Sequence, residues 1–405
     1  MEHYYLAIDI GASSGRHMLA HMEHGKLVLE EVYRFTNQFL ERNGHKIWDI
    51  DHIFQEILKG LKACKGRGIV PKSIGIDTWA VDYALLDAEG HRLGSVYAYR
   101  DRRTENMDRE VYKVIPQELL YERTGIQKAT FNTIFQLMSD QKIRKHELEK
   151  ADCFLMVPDY LNFLLTGVKM QEYTNASTTG LIDAATGNWD LELIDLLGLP
   201  KKIFRPLSEP GTVVGALRED IARKIGFQTE VILPATHDTG SAVVSVPSTE
   251  PHPLYISSGT WSLLGCELAS ANTSEKARRL NFTNEGGYEH RIRFLKNIMG
   301  LWMIQSVKRE LESKDGRVYS FSELCREAES ADIDSLIDVN KERFLSPDSM
   351  IQEIRNECQE TGQRIPKTAG ELARVIYHSL AVSYRDAIRE WKKSMKNGIR
   401  LYGRK

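Results

Sequence analysis

The sequence predicts an α/β protein of two domains, and three observations predict it. Its 405 residues are enough for two domains. Tyr4–Ala20 (YYLAIDIGASSGRHMLA) is an apolar run, a tight Gly/Ser turn and a second apolar run, which reads as strand, turn, strand. Leu254–Cys266 (LYISSGTWSLLGC) repeats that architecture after Pro247, Pro251 and Pro253, which mark a boundary between a first domain over 1–245 and a second over 246–405.

The opening is predicted to be a β-meander: a strand over 4–10, a turn at 11–15, a strand over 16–22, a turn at His24-Gly25 and a strand over 26–35. A helix follows at about 51–63, with Ile53, Ile57, Leu58 and Leu61 on one face and Asp51 as its N-cap. Residues 73–87 (SIGIDTWAVDYALLD) alternate as one strand that turns at Glu89-Gly90 and pairs with 96–100. Helices are expected over 105–123, 133–148 and 157–165, a loop-rich stretch over 172–200, and short strands at 213–215 and 231–233. The remainder, 297–393, reads as mostly helical. Its last helix, about 370–393, carries Leu372, Ile376, Leu380, Tyr384 and Ile388 as a core stripe.

Composition excludes several classes of function. The charge balance is 54 Lys and Arg against 56 Asp and Glu, or −2, with no basic stripe for nucleic acid and no polybasic amphipathic helix for a membrane surface. The most apolar window, 154–167, is interrupted by Pro158, Asp159 and Asn162 and is too short to span a bilayer. The N-terminus runs straight into a strand and does not read as a signal peptide. Cys64, Cys153, Cys266, Cys325 and Cys358 are odd in number and contain no CxxC pair, so they are expected to be reduced cytosolic thiols.

Two segments carry chemistry. The turn Gly11–Arg16 is built of residues small enough for backbone N–H groups to face a phosphate. It lacks the Gly-Lys-Ser/Thr of a Walker A loop and the spacing of a dinucleotide fingerprint, and such a turn is also an ordinary hairpin turn. Ala235–Gly240 (ATHDTG) follows the apolar run 231–233 and places His237-Asp238 at a strand end, where a carboxylate could activate a hydroxyl. No second His/Asp cluster at ligand spacing supports a metal hydrolase. Together the two segments point to phosphoryl transfer.

The ordered motifs AIDIGASSGR (7–16), YRDRRT (99–104), PDYLNFLLTG (158–167), YTNASTTGLID (173–183), EPGTVVG (209–215), ATHDT (235–239) and SSGTWSLLG (257–265) resemble the FGGY carbohydrate kinases. That resemblance runs from residue 4 to about 393. It implies two actin-like (ribonuclease-H-like) ATPase domains around a central cleft, and transfer of a phosphoryl group from ATP, with Mg²⁺, to a small sugar. Residues 73–87, TNEGG (283–287) and LKNIMGLWMIQ (295–305) look most like the family's L-rhamnulose kinases, which act at O1. Other ketose or polyol kinases (L-fuculose, xylulose) and a non-catalytic actin-like nucleotide-binding protein are the alternatives.

Carried over residue by residue, the resemblance implies that Ala12, Ser13, Ser14, Gly15 and Arg16 form a phosphate loop and that Asp9 faces Mg²⁺. Asp238 would be the catalytic base, with His237 and Thr239 beside it on the sugar. Ala80, standing where the family often has Gly, and Asn297 would also contact the sugar; Thr260 and Gln305 would contact the nucleotide. Asn297 and Gln305 also read as core amides of an apolar helical stretch. Arg100, Asp101 and Arg103 read as a surface ion-pair cluster or a sugar contact, and Trp79 as core or pocket wall. Family members continue past the last helix with a strand and a GGG turn. This sequence ends KSMKNGIRLYGRK and contains no GGG, so the second domain is expected to be incomplete, with a weakened nucleotide site.

Overall fold

The structure, a computed structural model, describes residues 3–250 and 252–395. It divides into two compact units. One holds the chain up to His252 together with Glu267–Phe294, and the other holds Pro253–Cys266 and the chain from Leu295 onward.

The first unit is organised by a six-stranded mixed sheet, whose strands lie in the order Val213–Ala216, Glu230–Ile232, Ser73–Thr78, Tyr5–Ile10, Ser14–Glu23, Lys26–Thr36. The predicted meander forms its last three strands. Alternation places Leu6, Ile8 and Ile10 in the core. The three central strands, Glu230–Ile232, Ser73–Thr78 and Tyr5–Ile10, run parallel, so their carboxyl ends open on the same edge. In open α/β sheets that edge is where ligands bind.

Helix Ile50–Gly66 packs Ile53, Ile57, Leu58 and Leu61 inward, as the spacing predicts. Its N-cap is Asp49, whose carboxylate accepts from the N–H of His52 at 3.0 Å; Asp51 lies inside the first turn and pairs with Arg92 at 2.8 Å. The cap must have non-helical dihedrals, and only Asp49 does.

The predicted single strand over 73–87 is two strands. Ser73–Thr78 belongs to the main sheet, while Tyr83–Leu86 pairs antiparallel with Cys153–Met156. The chain breaks at Trp79–Asp82, where Val81 adopts φ +68, a left-handed value costly for a β-branched residue. Tyr83, Leu85, Phe135, Phe154 and Phe204 then build a second apolar core in the same unit. The helix expected over 105–123 is two, Met107–Tyr112 and Gln117–Thr124, and that over 133–148 is two, Thr133–Ile143 and Lys145–Lys150, while the helix expected over 157–165 is Val157–Thr166.

The second unit opens on the predicted hairpin, Tyr255–Ser258 paired antiparallel with Trp261–Leu268 from Tyr255↔Gly265 to Ser258↔Ser262. Helices Trp302–Asp315, Phe321–Ser330, Met350–Glu360 and Ala369–Met395 enclose a core that includes Ile298, Met303, Val307, Leu324 and Ile354. Leu372, Ile376 and Leu380 of the predicted stripe are fully inside it, and Tyr384 and Ile388 pack against it. The basic tail 396–405, on which part of the incomplete-domain expectation rests, lies outside the described residues. All five cysteines are free thiols. Among the described residues no helix is long and apolar enough to cross a membrane.

Candidate active site

At the carboxyl edge of the main sheet, parallel pairing sets Asp9 directly beside Asp77. Arg16, facing Asp9 across the antiparallel pair, grips its Oδ2 through Nε at 2.9 Å and Nη2 at 2.7 Å. Burial, together with the charges of Asp9 and Asp238, holds the Asp77 carboxyl well above the usual carboxylate range. Sequence reasoning missed Asp77. The available signal was the repeat of Ile-Asp at two strand ends, Ile8-Asp9 and Ile76-Asp77.

Beyond strand Glu230–Ile232 the chain stays beside Ser73–Thr78. The N–H of Thr78 donates to Thr236 O at 2.9 Å, and Thr78 and His237 form an isolated parallel bridge. Asp238 is thus not a strand-end residue as expected but the first residue of helix Asp238–Val244, with His237 as N-cap. Glu172, fully buried, fixes this turn: it accepts from Thr236 N at 3.2 Å and Oγ1 at 2.5 Å, and from Thr174 and Asn175.

Asp238 is half-buried, and its Oδ1 accepts from the N–H and hydroxyl of Thr239 at 2.6 and 3.2 Å. Burial, then the charge of Asp9, pushes its carboxyl up to about 7 against those two bonds. A carboxylate titrating near neutrality is suited to general-base work. His237 Nε2 lies 3.5 Å from Asp238 Oδ1, while its Nδ1 meets the guanidinium of Arg293 at 3.0 Å. Arg293 is fully buried and also donates to Gly286 O at 2.9 Å.

Ala80 lies in the break Trp79–Asp82, held rigidly from behind. Asp82 accepts from Trp48 Nε1 at 2.6 Å, Trp79 Nε1 at 2.9 Å, Tyr99 N at 3.0 Å and Gln136 Nε2 at 3.0 Å. Burial pushes its carboxyl up to about 6 even against these donors. The Val81 carbonyl accepts from Thr133 Oγ1 at 2.7 Å and from Gln136 at 3.1 Å. Trp79 is buried, its ring 4.2 Å from that of Trp48. Arg100 and Asp101 are buried, not a surface cluster; Asp101 accepts from the N–H groups of Lys46 and Arg103, and Arg103 pairs with the buried Asp140.

The turn Ala12–Ser14 is closed by Gly11 N donating to Ser14 O at 2.9 Å and braced by Asn37 Nδ2 donating to Gly11 O at 2.8 Å. Gly15 sits in regular strand geometry; a Cβ there would fall on the ring of Phe35. Its smallness therefore serves packing under the turn, not a strained φ. Thr260, Gln305 and Asn297 belong to the second unit. Thr260 occupies the hairpin turn, and its carbonyl accepts from Trp302 N at 3.2 Å. Gln305 is on helix Trp302–Asp315 with Oε1 buried and without a partner among the described residues. Asn297 lies on strand Ile292–Met299, so the expectation of one continuous helical stretch fails; Gly300 and the turn after it break the run.

Asp9 offers the hard carboxylate oxygen that suits Mg²⁺, one of its oxygens already held by Arg16. Among the described residues the acid–histidine group at ligand spacing is Asp87, Glu89 and His91, away from Asp9, which sequence reasoning did not find. Glu89 and His91 are exposed, and Asp87 already accepts the N–H of His91 at 2.7 Å to close their turn.

Comparison with known proteins places this geometry in context. The family model described as the N-terminal domain of the FGGY family of carbohydrate kinases matches residues 4–245, and the corresponding C-terminal domain matches 254–402. The chain is 50% identical over 388 residues to a protein named rhamnulokinase from Oceanobacillus iheyensis, covering 96% of this chain and 82% of that protein. A rhamnulokinase from Bacillus subtilis strain 168 is 45% identical over 388 residues, covering 95% and 79%. Among solved structures, gluconate kinase from Lactobacillus acidophilus superposes with a TM-score of 0.73 at 17% identity over 96% of this chain and 78% of that one. Plasmodium falciparum glycerol kinase with ADP gives 0.67 at 15% identity, over 99% and 80%. At these identities the structural likeness speaks for the two-domain α/β fold alone.

Proposed function

Because this chain belongs to the FGGY family of carbohydrate kinases, which draw their phosphoryl group from ATP, we propose that it phosphorylates L-rhamnulose at O1 with the help of Mg²⁺. The observation that carries the reading is Asp238. It is a carboxylate poised near pH 7 at the carboxyl edge of the sheet, in a chain half identical to a protein named rhamnulokinase. The free thiols fit our placement of the reaction in the cytoplasm.

A sugar hydroxyl is a poor nucleophile at neutral pH. Thr239 occupies Oδ1 of Asp238, leaving Oδ2 to take the hydroxyl proton as the new P–O bond forms, a contribution of roughly 10²–10⁴ in rate. His237, Thr239 and Ala80 border the sugar in this reading, and Asn297 is the second unit's residue assigned to it. The rigid backing of Ala80 by Asp82 gives its pocket a fixed wall, which serves orientation. Ala12, Ser13, Ser14, Gly15 and Arg16 of the first unit receive phosphate in this reading, and Thr260 and Gln305 are the second unit's residues for the nucleotide. Bound Mg²⁺ supplies neutralisation of the charge developing on the transferred group; Asp9 is the residue that would face it, with Arg16 holding Asp9 in place.

The test is ADP release measured with ATP and a panel of ketoses. The reading expects L-rhamnulose to give the highest kcat/KM. Equal or better turnover of L-fuculose or xylulose overturns the substrate, and an ATPase rate indifferent to sugar overturns the kinase chemistry.

A further inference from the structure

Behind Asp238, His237 meets a buried pair, Arg293 and Glu285, that no step above uses. Arg293 is wholly buried, with Nε donating to Gly286 O at 2.9 Å, Nη2 3.0 Å from His237 Nδ1, and Nη1 3.3 Å from the Glu285 carboxylate. Glu285 Oε2 is itself 3.4 Å from His237 Nδ1. Two neighbours therefore compete for that ring nitrogen. Glu285 would have it protonated and donating, and Arg293 would have it bare and accepting. The shorter approach belongs to Arg293, and a guanidinium has five N–H donors and no acceptor. A charged imidazolium would also stand against a buried guanidinium. Burial and Arg293 both hold the His237 ring well below its usual range, in keeping with a neutral ring.

We propose that Arg293 is a positioning residue, which fixes His237 as the neutral Nε2–H tautomer so that the ring donates on the Asp238 side and cannot take the hydroxyl proton in place of Asp238. Glu285 balances the charge of the buried guanidinium. The inference rests, for its catalytic meaning, on Asp238 being the base. The tautomer itself follows from geometry alone.

The experiment is ¹⁵N NMR of the full chain labelled at the histidine ring nitrogens, with the His237 signals identified by their loss in His237→Gln. The wild-type ring is expected to show an unprotonated Nδ1 and a protonated Nε2 at pH 7. An Nδ1–H tautomer or a doubly protonated ring overturns the proposal. In Arg293→Met the tautomer is expected to change or become mixed, and kcat to fall about 10²-fold, the scale of a small misplacement of reacting groups, with KM for ATP unchanged. Arg293→Lys, which keeps a donor, should restore part of kcat. A folded Arg293→Met with the wild-type tautomer and kcat overturns the positioning role. If Arg293→Met does not fold, the wild-type spectrum decides alone. A chain that turns over no sugar at all overturns the functional reading, while the same spectrum still decides the tautomer.

Discussion

Asp9 and Asp77 stand side by side on adjacent parallel strands, and burial, with the charges of Asp9 and Asp238 beside it, holds the Asp77 carboxyl well above the usual carboxylate range. Two carboxylates this close do not both ionise readily. Asp77→Asn keeps a donor beside Asp9 and removes the repulsion, so it is expected to fold and to melt at or above the wild-type temperature at pH 8. A clear fall in Tm would mean that Asp77 is needed as an anion.

The raised carboxyl of Asp238 has two consequences of opposite sign. As a base it must be ionised, so kcat/KM for sugar is expected to rise with pH through about 7. For stability, its pKa is higher folded than unfolded. Between the ordinary carboxylate value near 4 and about 7 the folded state binds the extra proton, so stability falls as pH rises through that window. Asp238→Asn should lose roughly 10²–10⁴ in kcat. It should also gain thermal stability at pH 8 relative to pH 5 when compared with wild type. Melting curves of the metal-free proteins at both pH values check this, and an unchanged kcat removes Asp238 from the mechanism.

Gly15 makes a sharper prediction than its place in the turn suggests. Because a Cβ there lands on Phe35, Gly15→Ala is expected to destabilise by about 1–3 kcal/mol through overpacking. Phe35→Leu added to it should recover part of the loss. Denaturant melts of the single and double variants decide. Additive losses would show that Gly15 answers to phosphate approach instead.

Asp82→Ala strands the donors of Trp48, Trp79 and Tyr99, each worth about 1–3 kcal/mol when left buried and unpaired, while Gln136 keeps its bonds to the Val81 and Phe131 carbonyls. The expected result is a loss of at least about 3 kcal/mol. In whatever fraction folds, KM for sugar should rise more than KM for ATP, because the loop carrying Ala80 loses its anchor. The reverse order of effects would detach this loop from the sugar.

In the second unit, a Cβ on Gly300 would come within 2.6–2.8 Å of the backbone at Gly259, Trp261 and Ser262, which cannot yield cheaply. Gly300→Ala is therefore expected to displace the hairpin turn that holds Thr260 and to weaken ATP binding. Calorimetry showing unaltered ATP affinity would take that turn out of the nucleotide site.

What the sequence determined by itself were features with a short period. The strand–turn–strand openings at 4–20 and 254–266, the inward face of helix Ile50–Gly66, and the stripe Leu372, Ile376, Leu380 are written within one or two turns or one hairpin, where alternation and helical spacing are read directly. Asp9 and Asp238 were legible for the same reason, each sitting beside a distinctive local motif. The tertiary structure decided what depends on partners distant along the chain. Alternation cannot show that 73–87 changes sheets at Trp79–Asp82, because the break is fixed by Gln136, Thr133 and Trp48, which arrive from elsewhere. Nor can it place Asp77 beside Asp9, or Arg293 against His237. Those neighbours are set by parallel pairing and by the return of residues 267–294 to the first unit, and a crossover of many residues leaves no short-range pattern to mark where its ends will meet.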